Sequence, residues 1–452
     1  MSSGYHLIRN GTLINEGESF RGSLLMSGDK IAKIFVEGEE LPGAEKITDA
    51  EGCLIIPGVI DDHVHFREPG NTHKGDIASE SAAAVLGGIT SYMDMPNNNP
   101  PAVTIEQIKA KEKIAAECSY ANYSFYLGAT NDNVEEILCA NPESVCGVKV
   151  FMGSSTGNML IDNQESLERI FRESPLLIAT HCEYEPVIRE NLESAIEKYG
   201  KYEIPFEEHC NIRSRSACIK STEIALELAL KYNSRLHILH ISTKEEIDLI
   251  REAIKINPNI SGEICVHYLL LDNSMYKTMG SMMKCNPSIK ELSDKEALIK
   301  AVKEGVIRVI ATDHAPHTKE EKSKSYIESP SGLPLVQHSL QLMIELYKDG
   351  VFSMEEVVDR MCHAPAENFK IKSRGYLREG YFADIAIINL NQTDSISTVN
   401  PAYKCGWTPF QGKSFRSSVV HTFINGIHIV EKGKLNNIIA GKKLSFNYAV
   451  QQ

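Results

Sequence analysis

The chain has 452 residues, 42% hydrophobic and 24% charged, an ordinary soluble composition with room for about three average domains or for one (β/α) barrel with additions. Its net charge of −13 disfavours nucleic acid as a partner, so an anionic ligand would have to be met by local positive charge from metal or arginine. No run of 18 apolar residues predicts a membrane span, no apolar signal core follows Met1-Ser2-Ser3-Gly4-Tyr5, and eleven cysteines without a Cys-x-x-Cys pair fit a reducing cytoplasm rather than a disulfide framework.

In chain order, about the first 50 residues read as short strands joined by turns, with Asn10-Gly11 and Ser27-Gly28-Asp29 as turn signals. The apolar run over 54–66 predicts one strand ending in Asp61-Asp62-His63-Val64-His65-Phe66-Arg67. Strand alternation puts His63, His65 and Arg67 on one side: two imidazoles able to grip one metal ion and a fixed cation one step beyond. Further strands are predicted at 89–95, 123–129, 147–152, 176–182, 236–241, 263–270 and 306–313. Helical patterns at 76–86, 105–117, 221–232 and 295–303 separate them. Such alternation predicts a parallel sheet under covering helices, and eight units favour a closed α/β barrel over an open doubly wound sheet. No Gly-x-Gly-x-x-Gly or phosphate loop follows a strand, which leaves a nucleotide-binding version with little support. From about residue 374 the chain returns to strands, at 382–388 and in a hairpin over 423–429. Neither end has enough residues for its own core, so the two ends are expected to form one discontinuous β-sandwich domain. The division is 1–54, a barrel over 55–370, and 371–452.

Barrel enzymes carry their chemistry at the C-terminal ends of strands. Those ends hold His63 and His65, then Lys149, His181, His240 and Asp313. His237, of opposite parity to His240, and His267 are read as structural. Four His, one Lys and one Asp exceed the needs of a single tetrahedral zinc and suit two metal ions sharing a bridging water. A protonated Lys149 would be repelled by two dications. Reaction with carbon dioxide converts it to N6-carboxylysine, an anionic bidentate bridge. Zinc suits these ligand types, as do manganese and cobalt.

Five motifs then carry a resemblance over nearly the full length: His63-Val64-His65-Phe66-Arg67-Glu68-Pro69-Gly70, Met95-Pro96-Asn97, Cys285-Asn286-Pro287, Ala311-Thr312-Asp313-His314-Ala315-Pro316-His317 and Ser331-Gly332-Leu333-Pro334-Leu335. With the strand-end residues they resemble the amidohydrolase superfamily and, within it, the dihydroorotase family. The resemblance implies that His63 and His65 hold the more buried metal with Asp313, that His181 and His240 hold the second, and that carboxylated Lys149 bridges them. It implies that Arg67, Asn97 and His317 hold a substrate carboxylate, and that Asn286 and the Leu333 backbone address the ring amides. The implied reaction is reversible hydrolysis of (S)-dihydroorotate to N-carbamoyl-L-aspartate in pyrimidine biosynthesis, by a bridging hydroxide with Asp313 as proton shuttle. The alternative is an allantoinase or hydantoinase type of cyclic amidohydrolase. Arg67 discriminates, because allantoin and simple hydantoins carry no carboxylate for it to hold. A non-catalytic relative would be expected to have lost ligands, and all six are present. Lys149-Val150-Phe151-Met152 resembles the lysine-bridged members and hydantoinases. Lys290 stands where many relatives have Arg, and Cys218, near where relatives often carry Glu, receives no role. The polar stretch 318–333 is expected to cover the site as a mobile loop. A homodimer is the expectation from the general frequency of two-fold oligomers.

Overall fold

The computed structural model describes residues 4–152, 159–395 and 402–448. Its centre is a ring of parallel strands: Val59–Val64, Ile89–Asp94, Asn122–Phe125 continued by Leu127–Gly128, Val148–Phe151, Ile178–His181, Leu236–Ile238, Ile260–Cys265 and Val309–Ala311. Successive members pair in parallel. The third strand hands over at Tyr126, whose N–H bonds to Asp94, while the N–H of Leu127 bonds to Gly147 on the other side. A bridge between Val64 and His314 closes the ring, and the His65 N–H donates to the His314 carbonyl at 2.7 Å. The result is the (β/α)8 barrel expected from eight alternating units.

The covering helices begin where their sequences provide caps. Asp76 with Ser79, Thr104 with Gln107 and Thr243 with Glu246 form capping boxes that start Ile77–Leu86, Ile105–Cys118 and Lys244–Ile256. Several expected elements differ in extent; the strands over 236–241 and 306–313 are shorter, Leu236–Ile238 and Val309–Ala311. The helix over 221–232 begins earlier, at Arg215, and ends at Asn233 in the left-handed conformation. The strand over 263–270 is shifted: it runs Ile260–Cys265, and Val266–Leu269 is a 3-10 turn, an ambiguity inherent in a short apolar run.

The single strand expected over 54–66 is two strands in two sheets. Gly58 is the pivot, packed so closely that a Cβ there would lie 2.1 Å from Thr90 Oγ1. Before it, Cys53–Pro57 belongs to a nine-stranded mixed sheet built from both chain ends. It runs parallel to Tyr5–Asn15 and antiparallel to Ile385–Asn389, with Ile55 opposite Ile387. Ile8, Leu24, Ile55, Ile385, Ile387 and Phe423 pack into a separate core on this sheet. Asn10-Gly11 is not a hairpin turn. It lies inside Tyr5–Asn15, where the register shifts between Ile8 and Gly11 and Asn10 has φ 65°, a bulge. The hairpins turn at Glu16-Gly17, Gly28-Asp29 and Asn425-Gly426. Asp384 ties sheet to barrel: it pairs with Arg374, accepts the Asn425 N–H at 2.8 Å and accepts from Asn122 Nδ2 at 3.1 Å.

Candidate metal centre

The C-terminal ends of the barrel strands open into one cavity of about 240 Å³. Its wall contains His63, His65, Lys149, His181, His240 and Asp313, together with Arg67, Asn97, Asn286 and His317 from the loops that follow. Leu333 is the exception among the expected residues. Gly332 faces the cavity, while Leu333 is buried behind it with its carbonyl accepting from the Ala315 N–H at 2.8 Å.

His63, His65 and Asp313 present donor atoms that all lie within 4.8 Å of one another. Asp313 Oδ1 stands 3.2 Å from His63 Nε2 and 3.0 Å from His65 Nε2. The far ring nitrogens are tied: His63 Nδ1 to Glu263 Oε1 at 2.5 Å, and His65 Nδ1 to Asn97 Oδ1 at 2.6 Å. A hydrogen bond at Nδ1 fixes the tautomer and leaves Nε2 as the ligand atom. Among the described residues the buried His63 Nε2 has no hydrogen-bond partner, which fits a nitrogen available as a metal ligand. His181 Nδ1 and His240 Nε2 face each other at 2.8 Å, and the His63 and His240 rings are 5.4 Å apart. His181 Nε2 meets Glu183 Oε2 at 2.9 Å, and Glu183 pairs with Arg213. This donor set fits divalent cations held by nitrogen and oxygen.

The backbone is bent to deliver these side chains. Arg67, His240 and Asp313 have φ of 69°, 38° and 48°. Left-handed conformations of this kind cost about 1–3 kcal/mol each and persist where surrounding structure imposes them. They also correct the parity argument: the strand ends at Val64, so Arg67 reaches the cavity through its turned backbone and not through alternation.

Electrostatics favour the neutral form at three of the four histidines; at His63 burial lowers proton affinity, but Glu263 and Asp313 outweigh it and raise the group. Burial pulls His65 down to about 4 and lowers His181 and His240, so all three are neutral at pH 7. Burial alone would raise Asp313, but the His63 and His65 imidazoles hold it below the usual carboxylate range. Burial lowers the Lys149 ammonium to about 8, which makes its free amine, the form that reacts with carbon dioxide, accessible near neutral pH.

Glu263 and Asp62, behind the site, receive no role from the sequence, and His237 is read there only as structural. Glu263 supports His63 and also faces His237 Nε2 at 3.3 Å, and His237 Nε2 lies 3.2 Å from Asp62 Oδ2. The only signal for Glu263 is an acid inside an apolar strand. Lys290 is buried but outside the cavity wall, bonded to Ser288 O and Oγ. Cys218 is buried near Ser242. The stretch 318–333, expected as a mobile loop over the site, contains the helix Lys319–Lys322 capped by Thr318, with Lys322 wholly buried, and borders the cavity at Ser329–Gly332. All eleven cysteines are free, and among the described residues no helix is long and apolar enough to cross a membrane.

The chain is similar to known proteins throughout. The dihydroorotase of Methanosphaera stadtmanae is 33% identical over 383 residues, covering 84% of this chain and 86% of its own. The dihydroorotase of Pyrococcus abyssi is 31% identical over 440 residues, 97% of this chain and 98% of its own. Among solved structures, the L-hydantoinase of Arthrobacter aurescens superposes with a TM-score of 0.92 at 24% identity over 98% of this chain and all of its own, a likeness of fold. Residues 54–428 match the model of the Amidohydrolase family, and the chain belongs to that family.

Proposed function

We propose that the chain is a dihydroorotase, interconverting (S)-dihydroorotate and N-carbamoyl-L-aspartate in the cytoplasm, with the barrel that starts at Val59 as the catalytic unit and the sheet built from both chain ends, Cys53–Pro57 included, as its flanking domain. The observation that carries this reading is Arg67. Its buried guanidinium lines the cavity beside the candidate ligands. It has no carboxylate within ion-pair distance among the described residues; Nε donates to the Pro316 carbonyl at 3.1 Å and Nη2 to His317 Nε2 at 3.0 Å. A buried cation without an anion is costly, and a substrate carboxylate would relieve that cost. Dihydroorotate carries one. The dihydroorotase relatives at about 30% identity over most of the chain support the same choice.

In this reading His63, His65 and Asp313 would hold one divalent ion, His181 and His240 a second, and carboxylated Lys149 would join them, zinc suiting the donors. A metal pair supplies an acidified water and polarisation of the amide carbonyl. The remaining work falls to the chain's own side chains. Arg67, Asn97 and His317 hold the carboxylate and so fix which face of the ring meets Asp313. Asn286 Oδ1, buried and without a hydrogen-bond partner among the described residues, accepts a ring N–H. The ionised Asp313 carboxylate takes the proton of the attacking water and returns it to the departing ring nitrogen. The backbone at Gly332, rather than Leu333, borders the ring. The test is an assay of metal-loaded protein on dihydroorotate, allantoin and hydantoin. Preference for dihydroorotate is expected; preference for an uncharged ring would instead assign an allantoinase or hydantoinase activity.

A further inference from the structure

Two lysines beside the cavity have no role in the chemistry above, and their surroundings are unusual. Lys322 is fully buried and spends its three donors on backbone carbonyls: Lys284 at 3.0 Å, Pro330 at 2.9 Å and Gly332 at 3.2 Å. Lys284 is 7% exposed and lines the cavity with Asn286 and Ser329. Its Nζ donates to the carbonyls of Tyr326 and Ser329, both at 2.6 Å. The Gly332 N–H returns to the Lys284 carbonyl at 2.9 Å. The two side chains thus knit the wall segment 326–332 to the strand-end loop that carries Asn286.

Neither ammonium has a carboxylate within ion-pair distance among the described residues. Carbonyl dipoles offset part of the cost of burying these charges, but two like charges side by side lack a counter-ion. Burial, with a nearby cation adding to it, lowers both to about 7. Lys322 has used all three donors and is a holding group. Lys284 has used two, with its Nζ also 4.3 Å from the Tyr326 ring centroid, and it borders the cavity, so its third N–H is the one not committed to a carbonyl. Arg67 already accounts for one carboxylate, and Lys149 is assigned to the metal bridge. Opening a cyclic amide creates one more anion: the ring substrate carries one negative charge and the open ureido acid carries two.

We infer that Lys284 is a specificity-determining residue that recognises the second negative charge of the open-chain dicarboxylate, while Lys322 positions the wall on which Lys284 rests. This rests on the dihydroorotase reading. It predicts where discrimination shows. The equilibrium constant of the reaction fixes the ratio of the two catalytic efficiencies, so any variant must lose the same factor of kcat/KM in both directions. The discrimination therefore lies in binding: removal of the charge weakens the dianion more than the monoanion.

The experiment compares KM for N-carbamoyl-L-aspartate and for dihydroorotate in metal-loaded wild type, Lys284→Gln and Lys322→Met, with metal content and melting temperature as controls. For Lys284→Gln, KM for the open-chain dianion rises roughly tenfold or more relative to that for the ring, the effect of losing a hydrogen bond to a charged group. Lys322→Met raises both KM values together or lowers stability, without changing their ratio. An unchanged KM ratio in a folded, metal-replete Lys284→Gln overturns the inference and leaves Lys284 a wall-holding residue. Should Lys284→Gln not fold, Lys284→Arg, which keeps the charge, decides: a preserved ratio supports the inference and a shift against the dianion overturns it. Wild-type protein inactive on both compounds would refute the proposed function, a failure distinct from an unchanged ratio.

Discussion

Arg67→Met separates substrates most sharply. Methionine keeps an unbranched stem in the buried slot and removes the guanidinium, with its bonds to Pro316 O and His317. A carboxylate held in a site with little water forms charge-assisted bonds, and truncating one partner of such a buried pair typically costs ~2–5 kcal/mol. That is roughly 30-fold to several-thousand-fold in catalytic efficiency, at about 1.4 kcal/mol per tenfold. Removal of the guanidinium also frees the Pro316 carbonyl and His317, so some loss could come from a loosened wall. An uncharged cyclic amide controls for this, because it needs the wall but not the cation. The assay is kcat/KM on dihydroorotate and on a simple hydantoin, for wild type and variant, at equal metal content. The ratio of losses should exceed tenfold in favour of the uncharged ring. Equal losses on both substrates would make Arg67 a structural residue and remove the main support for a carboxylated substrate.

Lys149→Ala should lose bound metal and activity, and added short carboxylic acids should restore part of the activity; full metal content with an unmodified Lys149 in the wild type, seen by intact mass and crystallography, would refute the carbamate bridge. Glu263→Gln, which removes the charge behind His63 Nδ1, should weaken metal affinity about 10–100-fold in a competition titration, and an unchanged affinity would show that His63 needs no support. For His237, burial lowers its affinity for a proton but Asp62 and Glu263 more than reverse this, raising it to about 9. The stabilisation is therefore full below the unfolded value of about 6.5 and is lost as pH rises through 9, on the order of 3 kcal/mol. Urea unfolding between pH 6.5 and 9.5 should show this decline in the wild type and a flatter profile in His237→Gln; identical slopes would place the decline elsewhere.

The barrel is legible because the strands are short apolar runs separated by helical patterns, several of them with capping residues, and because ligand-type residues stand at strand ends, as His181 does at the end of Ile178–His181. What escaped has physical causes. The change of sheet at Gly58 occurs between two equally apolar runs, and its reason, contact with Thr90, is a tertiary one. Asn10-Gly11 has turn chemistry, but pairing on both sides of its strand makes a bulge of it. Arg67 was placed in the site by an argument from strand parity that fails at Val64; it arrives there through a left-handed backbone. Glu263, Asp62 and His237 meet only when the first, sixth and seventh strands stand side by side or across the barrel. The stretch 318–333 is polar in composition, yet Lys322 and Lys284 bury their charges among its carbonyls, which no composition rule anticipates.

A two-metal site that opens and closes dihydroorotate would tie activity to metal stoichiometry. Titrating metal-free protein with Zn²⁺ while following dihydroorotate hydrolysis tests it most directly. Activity should rise until two equivalents are bound, reach its plateau there and disappear on chelation. Full activity without metal, a plateau at one equivalent, or no hydrolysis of dihydroorotate at two equivalents would refute a two-metal dihydroorotase.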